Sequence, residues 1–170
     1  MNILDLGTGS GCIAITLADE FKDSSVRAVD KSAEALSVAM QNAKRIGVSN
    51  IAFFEGSWYE PFMTTHADEN NKFDIIVSNP PYIDPNDPHL AGLTDEPISA
   101  LIADNKGMAD ICHIVKTAPQ FLQPHGLLAI EHGYDQGEQV RGIFLSNGFG
   151  DVITVKDYGD NERVTLGVIN

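Results

Sequence analysis

The sequence predicts an α/β protein with a mostly parallel seven-stranded sheet that ends in an antiparallel hairpin. Three observations predict this fold. Apolar segments of strand length alternate with segments of helical period, a glycine-rich turn joins the first strand to the first helix, and the last two strands are too close in sequence for a crossover helix. Right-handed crossovers put helices on both faces of such a sheet. The length of 170 residues, 43% of them apolar, predicts one domain over residues 1–170.

The first half of the chain contains four predicted strands and two predicted helices. The strands are residues 2–6, 26–30, 51–54 and 73–78. The first helix covers residues 12–18, directly after the glycines. The second helix is capped by Ser32 and ends at Gly47. Its apolar residues fall on one stripe: Leu36, Ala39, Met40 and Ala43.

The second half opens with a long irregular stretch. Residues 79–104 hold five of the eight prolines, and a loop of this length is usually functional. A helix is predicted next, with one apolar stripe: Ile111, Ile114, Val115, Ala118 and Leu122. A strand over residues 126–131 and a helix around residues 140–144, ending at residues 147–148, follow. Strands at residues 152–155 and 164–169 form the hairpin.

Composition excludes several classes of protein. The net charge of −13 repels phosphate backbones and argues against DNA or RNA as the main binding surface. Cys12 and Cys112 stand alone, without the spacing of a zinc site or a disulfide framework, so no metal is expected. No signal peptide or spanning segment can be recognised, which predicts a cytoplasmic protein that does not bind membranes.

The glycine-rich turn comprises Gly7, Thr8, Gly9, Ser10 and Gly11. It departs from the G-x-G-x-x-G pattern of dinucleotide sites, because Cys12 occupies the sixth position. Glycines at alternate positions let a ligand approach the backbone, and the helix start beyond them offers N–H groups to a carboxylate or a phosphate. A turn that is only structural is the alternative.

Two further residues suit a nucleoside. Asp30 closes the second strand, where a carboxylate can accept both hydroxyls of a ribose; a purely capping role is the alternative. Trp58 follows the third strand, where its ring could cover an adenine, and a core tryptophan is equally compatible with the sequence.

The sharpest motif is Asn79-Pro80-Pro81-Tyr82, directly after the fourth strand. The prolines fix the backbone, so the Asn79 side chain and the Pro80 carbonyl are held in one arrangement. Two such acceptors can receive both hydrogens of a planar NH₂ group, and the Tyr82 ring can stack on a flat amide or base. A plain proline linker is the alternative.

With these residues the chain resembles the Rossmann-like class I S-adenosylmethionine-dependent methyltransferases. Within them it resembles the HemK or PrmC family, which methylates the glutamine amide of peptide chain release factors. The resemblance covers essentially the whole chain and is carried by residues 4–11, 56–59, 79–83, 96–101 and 157–163.

The resemblance implies a cofactor, S-adenosyl-L-methionine, and a set of site residues. The cofactor-binding residues are Gly7, Thr8, Gly9, Ser10, Gly11, Asp30, Trp58 and Asn79. The substrate-binding residues are Asn79, Pro80, Pro81 and Tyr82, with Asn79 and Pro80 catalytic. The amide nitrogen would attack the sulfonium methyl in line, without a metal or a prior general base. The implied partner is a release factor, with no direct contact to nucleic acid, and a monomer is expected.

Two departures from the family pattern and three rival functions remain. The family's N-terminal helical domain is expected to be absent, and residues 102–108 differ from the usual version. An N6-adenine or N2-guanine nucleic-acid methyltransferase could use the same motif, but residues 79–104 contain five acids and no Lys or Arg. A non-catalytic nucleotide-binding module and a dehydrogenase fit less well, because the Asn-Pro-Pro-Tyr motif is intact and the dinucleotide glycine pattern is not.

Overall fold

The computed structural model describes residues 1–63, 71–82 and 108–170. The chain divides into two compact units. The first comprises Met1–Ser78 with Gln120–Leu127, and the second comprises Asn79–Pro119 with Leu128–Asn170. The five acids of residues 84–104 and the segment 96–101, which carries part of the resemblance, lie outside the described residues, and so do residues 102–107.

The first unit is built on parallel strands. The part of this unit up to residue 78 contains four strands: β1 (Asn2–Leu6), β2 (Ser25–Asp30), β3 (Ile51–Glu55) and β4 (Phe73–Ser78). Its described helices are α1 (Cys12–Glu20), α2 (Ala33–Ile46) and α3 (Glu60–Met63). β1 pairs in parallel with both β2 and β4, and β2 pairs in parallel with β3. The four predicted strands and two predicted helices are confirmed, and α3 was not predicted.

Small and branched apolar residues fill the core between α1 and the sheet of this unit. The buried cluster consists of Ile3, Ala14, Ala18, Val26 and Ala28. The predicted ends of α2 are also confirmed: the Ala35 N–H donates to Ser32 Oγ at 3.1 Å, and Gly47 closes the helix at φ +88°. The predicted stripe was wrong at Met40, which is half exposed, because the buried face of α2 is narrower than the sequence pattern.

The second unit carries the remaining elements. They are α4 (Ala109–Thr117), a 3₁₀ turn (Ala118–Gln120) at the boundary of the unit, β5 (Leu122–Glu131), α5 (Gly137–Ser146), β6 (Phe149–Lys156) and β7 (Glu162–Ile169). β5 begins in the first unit and ends in the second. β6 and β7 pair antiparallel, so the predicted hairpin is confirmed.

The boundary between α4 and β5 was predicted wrongly. Leu122 was expected on the stripe of a helix, yet it is the first residue of β5. The helix ends at Thr117 because Pro119 has no N–H to continue the hydrogen-bond ladder, and the chain tightens into the 3₁₀ turn instead. The strand therefore begins four residues earlier than predicted.

The described strands form one seven-stranded sheet in the order β3-β2-β1-β4-β5-β7-β6. This order and the terminal hairpin confirm the predicted fold class. No described helix is long and apolar enough to cross a membrane. In the same described ranges, no three His, Cys, Asp or Glu side chains converge as a metal site would require.

Candidate functional site

The glycine turn (residues 7–11) follows β1 and is fixed by its own backbone. The N–H groups of Gly7 and Thr8 both donate to the Val29 carbonyl at 2.9 Å, and the Gly11 N–H donates to the Thr8 carbonyl at 2.9 Å. This turn feeds directly into α1, where the Ile15 N–H bonds the Gly11 carbonyl at 2.8 Å. The predicted strand, turn and helix are therefore one continuous, hydrogen-bonded unit.

Two glycines of the turn have positive φ and different surroundings. At Gly11, with φ +86°, an added Cβ would lie 2.8 Å from Ile15 Cδ1 and 3.1 Å from Ala39 Cβ, so a side chain there would be strained and would displace Ile15. At Gly9, with φ +55°, an added Cβ would have no described atom of the rest of the chain within 4 Å. The turn is thus closed toward α1 and α2 at Gly11 and open at Gly9, where a ligand could meet the backbone.

Asp30 ties the glycine turn to the end of β2. One carboxylate oxygen accepts the Gly9 N–H at 2.8 Å, and the other accepts the Ser32 N–H at 2.9 Å. The side chain is half-buried. Because each carboxylate oxygen can accept two hydrogen bonds, Asp30 keeps the capacity to accept ribose hydroxyls while it holds the turn. The predicted ribose role and a structural role are compatible at this residue.

Asp5 is a buried carboxyl beside the glycine turn that the sequence reasoning did not single out. It lies in β1 with 1% of its surface exposed, and Thr8 Oγ1 donates to its Oδ2 at 2.7 Å. Its Oδ1 has no hydrogen-bond partner among the described residues. Burial raises the pKa of Asp5 to about 6, against the opposing effect of the Thr8 hydrogen bond. A carboxyl inside a buried strand, two residues before a glycine turn, was the signal that could have identified it.

Trp58 lies against the glycine turn. A Cβ built on Gly7 would be 3.3 Å from Cζ3 of the indole ring, so the ring packs on the Gly7 backbone. Trp58 itself has φ +52° and is partly exposed. The structure therefore brings Trp58, Asp30 and the glycine turn together in the first unit, as the resemblance implied. Contact with an adenine remains a prediction.

The proline segment (residues 79–82) follows β4 and is held by side chains of the second unit. Asn79 is exposed and Pro80 is buried. The Tyr82 carbonyl accepts a hydrogen bond from Gln136 Nε2 at 3.1 Å, and the Tyr82 hydroxyl donates to Glu131 Oε1 at 3.2 Å. Sequence reasoning missed both partners. Glu131 could have been suspected, because it ends β5 on the side where ligands bind in such sheets.

The residue before the proline segment is also fixed. Ser78 Oγ donates to the Leu6 carbonyl at 2.7 Å, and Leu6 pairs with Ser78 in the parallel register of β1 and β4. Both residues are buried. The end of β4 is therefore anchored beside the end of β1, so Asn79 leaves the sheet from a defined position.

A family model and several curated proteins that match this chain are all described as methyltransferases. A family model described as a methyltransferase domain matches residues 1–149. The release factor glutamine methyltransferases of Salmonella typhimurium and Escherichia coli are 48% and 47% identical to this chain over 167 residues, and the aligned part covers 97% of it. That of Vibrio cholerae is 48% identical over the same length. The chain spans 57–58% of the length of these curated relatives.

Solved structures of low sequence identity share the fold. A ribosomal protein methylase from Lactobacillus delbrueckii has a TM-score of 0.67 at 22% identity, with 99% of this chain and 70% of that chain covered. A ribosomal RNA methyltransferase from Thermus thermophilus, solved in complex with AdoMet and guanosine, has a TM-score of 0.68 at 18% identity, with 99% and 37% covered.

Proposed function

Because the chain belongs to the methyltransferase domain family, we propose that it transfers a methyl group from S-adenosylmethionine to the side-chain amide nitrogen of a glutamine in peptide chain release factors. The observation that carries this proposal is the exposed Asn79 side chain on a segment fixed at both ends. Ser78 is bonded to Leu6 before it, and Tyr82 is bonded to Gln136 after it. The names of the 47–48% identical relatives support the choice of substrate.

The chemistry of the first unit fits the proposed cofactor. The open face at Gly9 admits a ligand to the backbone, and the Asp5 carboxyl has a buried oxygen without a described partner. The glycine turn would hold the methionine part, Asp30 the ribose, and Trp58 the adenine. Two carboxyl groups beside the turn favour a ligand that carries an ammonium and a sulfonium charge. When bound, the cofactor supplies an activated methyl group.

The proline segment would orient the nitrogen that accepts this methyl group. An amide nitrogen is a poor nucleophile because its lone pair is delocalised into the carbonyl. The Asn79 side-chain oxygen and the Pro80 carbonyl would accept the two N–H hydrogens, which fixes the nitrogen and stabilises the positive charge that develops on it. The Tyr82 ring would stack on the flat amide. The nitrogen loses one proton as it gains the methyl group, and water or a carboxylate takes that proton.

Charge favours a protein substrate over a nucleic acid. The net charge is −13, and residues 79–104 contain five acids without a Lys or Arg. Such a sequence around the proline segment is unfavourable for a phosphate backbone. Activity on release factors would place the protein in the cytoplasm, and we expect it to act there as a monomer without direct contact to nucleic acid or membrane.

The test offers the protein methyl-labelled cofactor together with release factor and duplex DNA in equal amounts. We expect label in the release factor and none in the DNA. The control is a release factor in which the accepting glutamine is replaced by glutamate, which has no amide nitrogen. Label in the DNA, or equal label in the substituted release factor, would contradict the proposal.

A further inference from the structure

We propose that Gln136 is a positioning residue for methyl transfer, because its side chain fixes the Tyr82 carbonyl and thereby sets the path of the proline segment. This inference rests on the proposed function and adds to it a residue that would act through Tyr82 rather than on the reacting groups. Gln136 lies between the end of β5 and the start of α5, and 8% of its surface is exposed.

The side-chain amide of Gln136 accepts one hydrogen bond and donates another. Its Oε1 accepts the Gly133 N–H at 2.8 Å, and its Nε2 donates to the Tyr82 carbonyl at 3.1 Å. A side chain that bridges an N–H on one side and a carbonyl on the other must carry both an acceptor and a donor. Glutamine meets this requirement, whereas an ionised glutamate has acceptors only.

The proline segment needs such an external partner. Pro80 and Pro81 have no N–H group, so they cannot donate the backbone hydrogen bonds that would fix an ordinary loop. Hydrogen bonds from other elements hold Tyr82 instead: its carbonyl accepts from Gln136, and its hydroxyl donates to Glu131 at 3.2 Å. A displacement at Tyr82 would pass through two stiff proline rings to the Pro80 carbonyl and Asn79, which are the proposed acceptors.

The partner of Gln136 is itself fixed to the hairpin. Gly133 follows the fully buried His132, whose N–H donates to the Arg163 carbonyl at 2.9 Å and whose Nε2 lies 2.9 Å from Thr165 Oγ1. Arg163 Nε in turn donates to Asp157 Oδ2 at 3.1 Å. Hydrogen bonds, chiefly from the Asn161 backbone N–H, hold the pKa of Asp157 at about 2. Residues 157–163, part of the resemblance, thus support Gln136 through β7.

The test compares two variants of Gln136 with a control variant of Gln139, a glutamine three residues further along the chain. Gln136→Ala removes both bonds, Gln136→Glu keeps the acceptor for Gly133, and Gln139→Ala alters an exposed glutamine of α5. With release factor as substrate, we expect Gln136→Ala to lower kcat by about tenfold or more, since small misplacements of reacting groups have large effects on rate. S-adenosylhomocysteine affinity should change little, thermal stability should fall because a buried side chain loses its hydrogen bonds to Gly133 and Tyr82, and Gln139→Ala should match the unsubstituted protein.

The pH profile of Gln136→Glu separates positioning from general packing. A protonated glutamate can donate to the Tyr82 carbonyl, whereas an ionised one repels it. We therefore expect the kcat of this variant, relative to the unsubstituted protein at the same pH, to rise several-fold as pH falls from about 8 to 5.5. A ratio that is constant with pH, or a Gln136→Ala variant with unchanged kcat, would overturn the proposal. Loss of cofactor affinity in both variants would overturn it as well.

A measurement without turnover distinguishes this inference from the proposed function. Hydrogen exchange of the peptide that contains Tyr82 should be faster in Gln136→Ala than in the unsubstituted protein, and unchanged in Gln139→Ala. If the unsubstituted protein fails to methylate release factor while exchange responds as expected, the proposed function fails and the fixation by Gln136 stands. Unchanged exchange would contradict the fixation itself.

Discussion

The glycine turn and the proline segment are both loops at strand ends, yet they are fixed by different means. The glycine turn is held by backbone hydrogen bonds to the Val29 carbonyl and within itself, and by packing at Gly11. The proline segment has few N–H groups of its own and depends on the side chains of Gln136 and Glu131. We therefore expect substitutions in the glycine turn to act on stability and cofactor affinity, and substitutions in the proline segment to act on turnover.

The largest effect is expected at Asn79, and the contrast with the glycine turn fails if Asn79→Ala lowers stability and leaves turnover unchanged. Asn79→Ala removes one of two acceptors for the reacting NH₂ group. The activation free energy should therefore rise by about 3 kcal/mol, by analogy with a lost oxyanion donor, and kcat should fall accordingly. The fold should persist because Asn79 is exposed. Single-turnover methylation and thermal unfolding measure the two quantities.

The control for Asn79 is Asn170→Ala, which alters an exposed asparagine at the chain end. It should leave both turnover and stability unchanged. Turnover of Asn79→Ala within a few-fold of that of Asn170→Ala would refute the assignment of Asn79 as an acceptor.

The next effect concerns the buried carboxyl below the glycine turn. The pKa of Asp5 is raised from 3.8 to about 6, so the folded state binds more protons than the unfolded state between these values, and stability falls as pH rises through that window. The difference corresponds to at most about 3 kcal/mol. Asp5→Asn lacks this titration and should gain stability relative to the unsubstituted protein from pH 4 to pH 6, with no further gain above.

Urea unfolding across that pH range measures the effect of Asp5→Asn. Asp23→Asn alters an exposed aspartate and serves as the control, which should follow the pH dependence of the unsubstituted protein. If the stability of Asp5→Asn had the same pH dependence as that of the unsubstituted protein, the titration of Asp5 would not contribute to stability.

Asp30 bonds the backbone of Gly9 and Ser32, and substitutions show whether it also binds the cofactor. Asp30→Ala removes a charged acceptor, and the affinity for S-adenosylhomocysteine should fall by about 1.5–3 kcal/mol per charged hydrogen bond lost. Asp30→Asn keeps one acceptor oxygen and should lose less. Calorimetric titration gives both values, and an unchanged affinity in Asp30→Ala would leave that residue with only its bonds to Gly9 and Ser32.

The smallest effect on stability is expected at Gly9, and Gly47 provides its matched control. Gly9 and Gly47 both have positive φ, +55° and +88°, and neither has a described atom within 4 Å of an added Cβ. Replacement by alanine should therefore cost each about 1 kcal/mol of stability through backbone strain alone. Only Gly9→Ala should also weaken cofactor binding, because its open face is the proposed ligand side. Equal cofactor affinity in the two variants would contradict that role.

The sequence predicted β1 to β4 and the helices α1 and α2 of the first unit because their signals are local, and it missed the short helix α3. The Ser32 cap, the glycine at residue 47 and the buried strand pattern each act within a few residues. At Leu122 the local pattern was misleading, since Pro119 ended the helix and the strand began early. The glycine turn, Asp30 and Trp58 were singled out from motif and position, and the structure places them together, whereas their contacts with a cofactor stay a prediction.

The missed residues depend on contacts that no local pattern reveals. Gln136 meets Tyr82 across 54 positions of sequence, and Ser78 meets Leu6 across 72. The raised pKa of Asp5 comes from burial by the whole first unit rather than from its neighbours in sequence. Such long-range contacts become visible only when the strands are placed in order.

The position of the methyl group after reaction with release factor tests glutamine methylation by this protein directly. Peptide mapping by mass spectrometry should find the mass of one added methylene on a single glutamine side chain after reaction with the unsubstituted protein. Under identical conditions, Asn79→Ala should bind S-adenosylhomocysteine and leave that glutamine unmodified. Methylation of another residue type, or the same glutamine methylated at a similar rate by Asn79→Ala, would contradict the account.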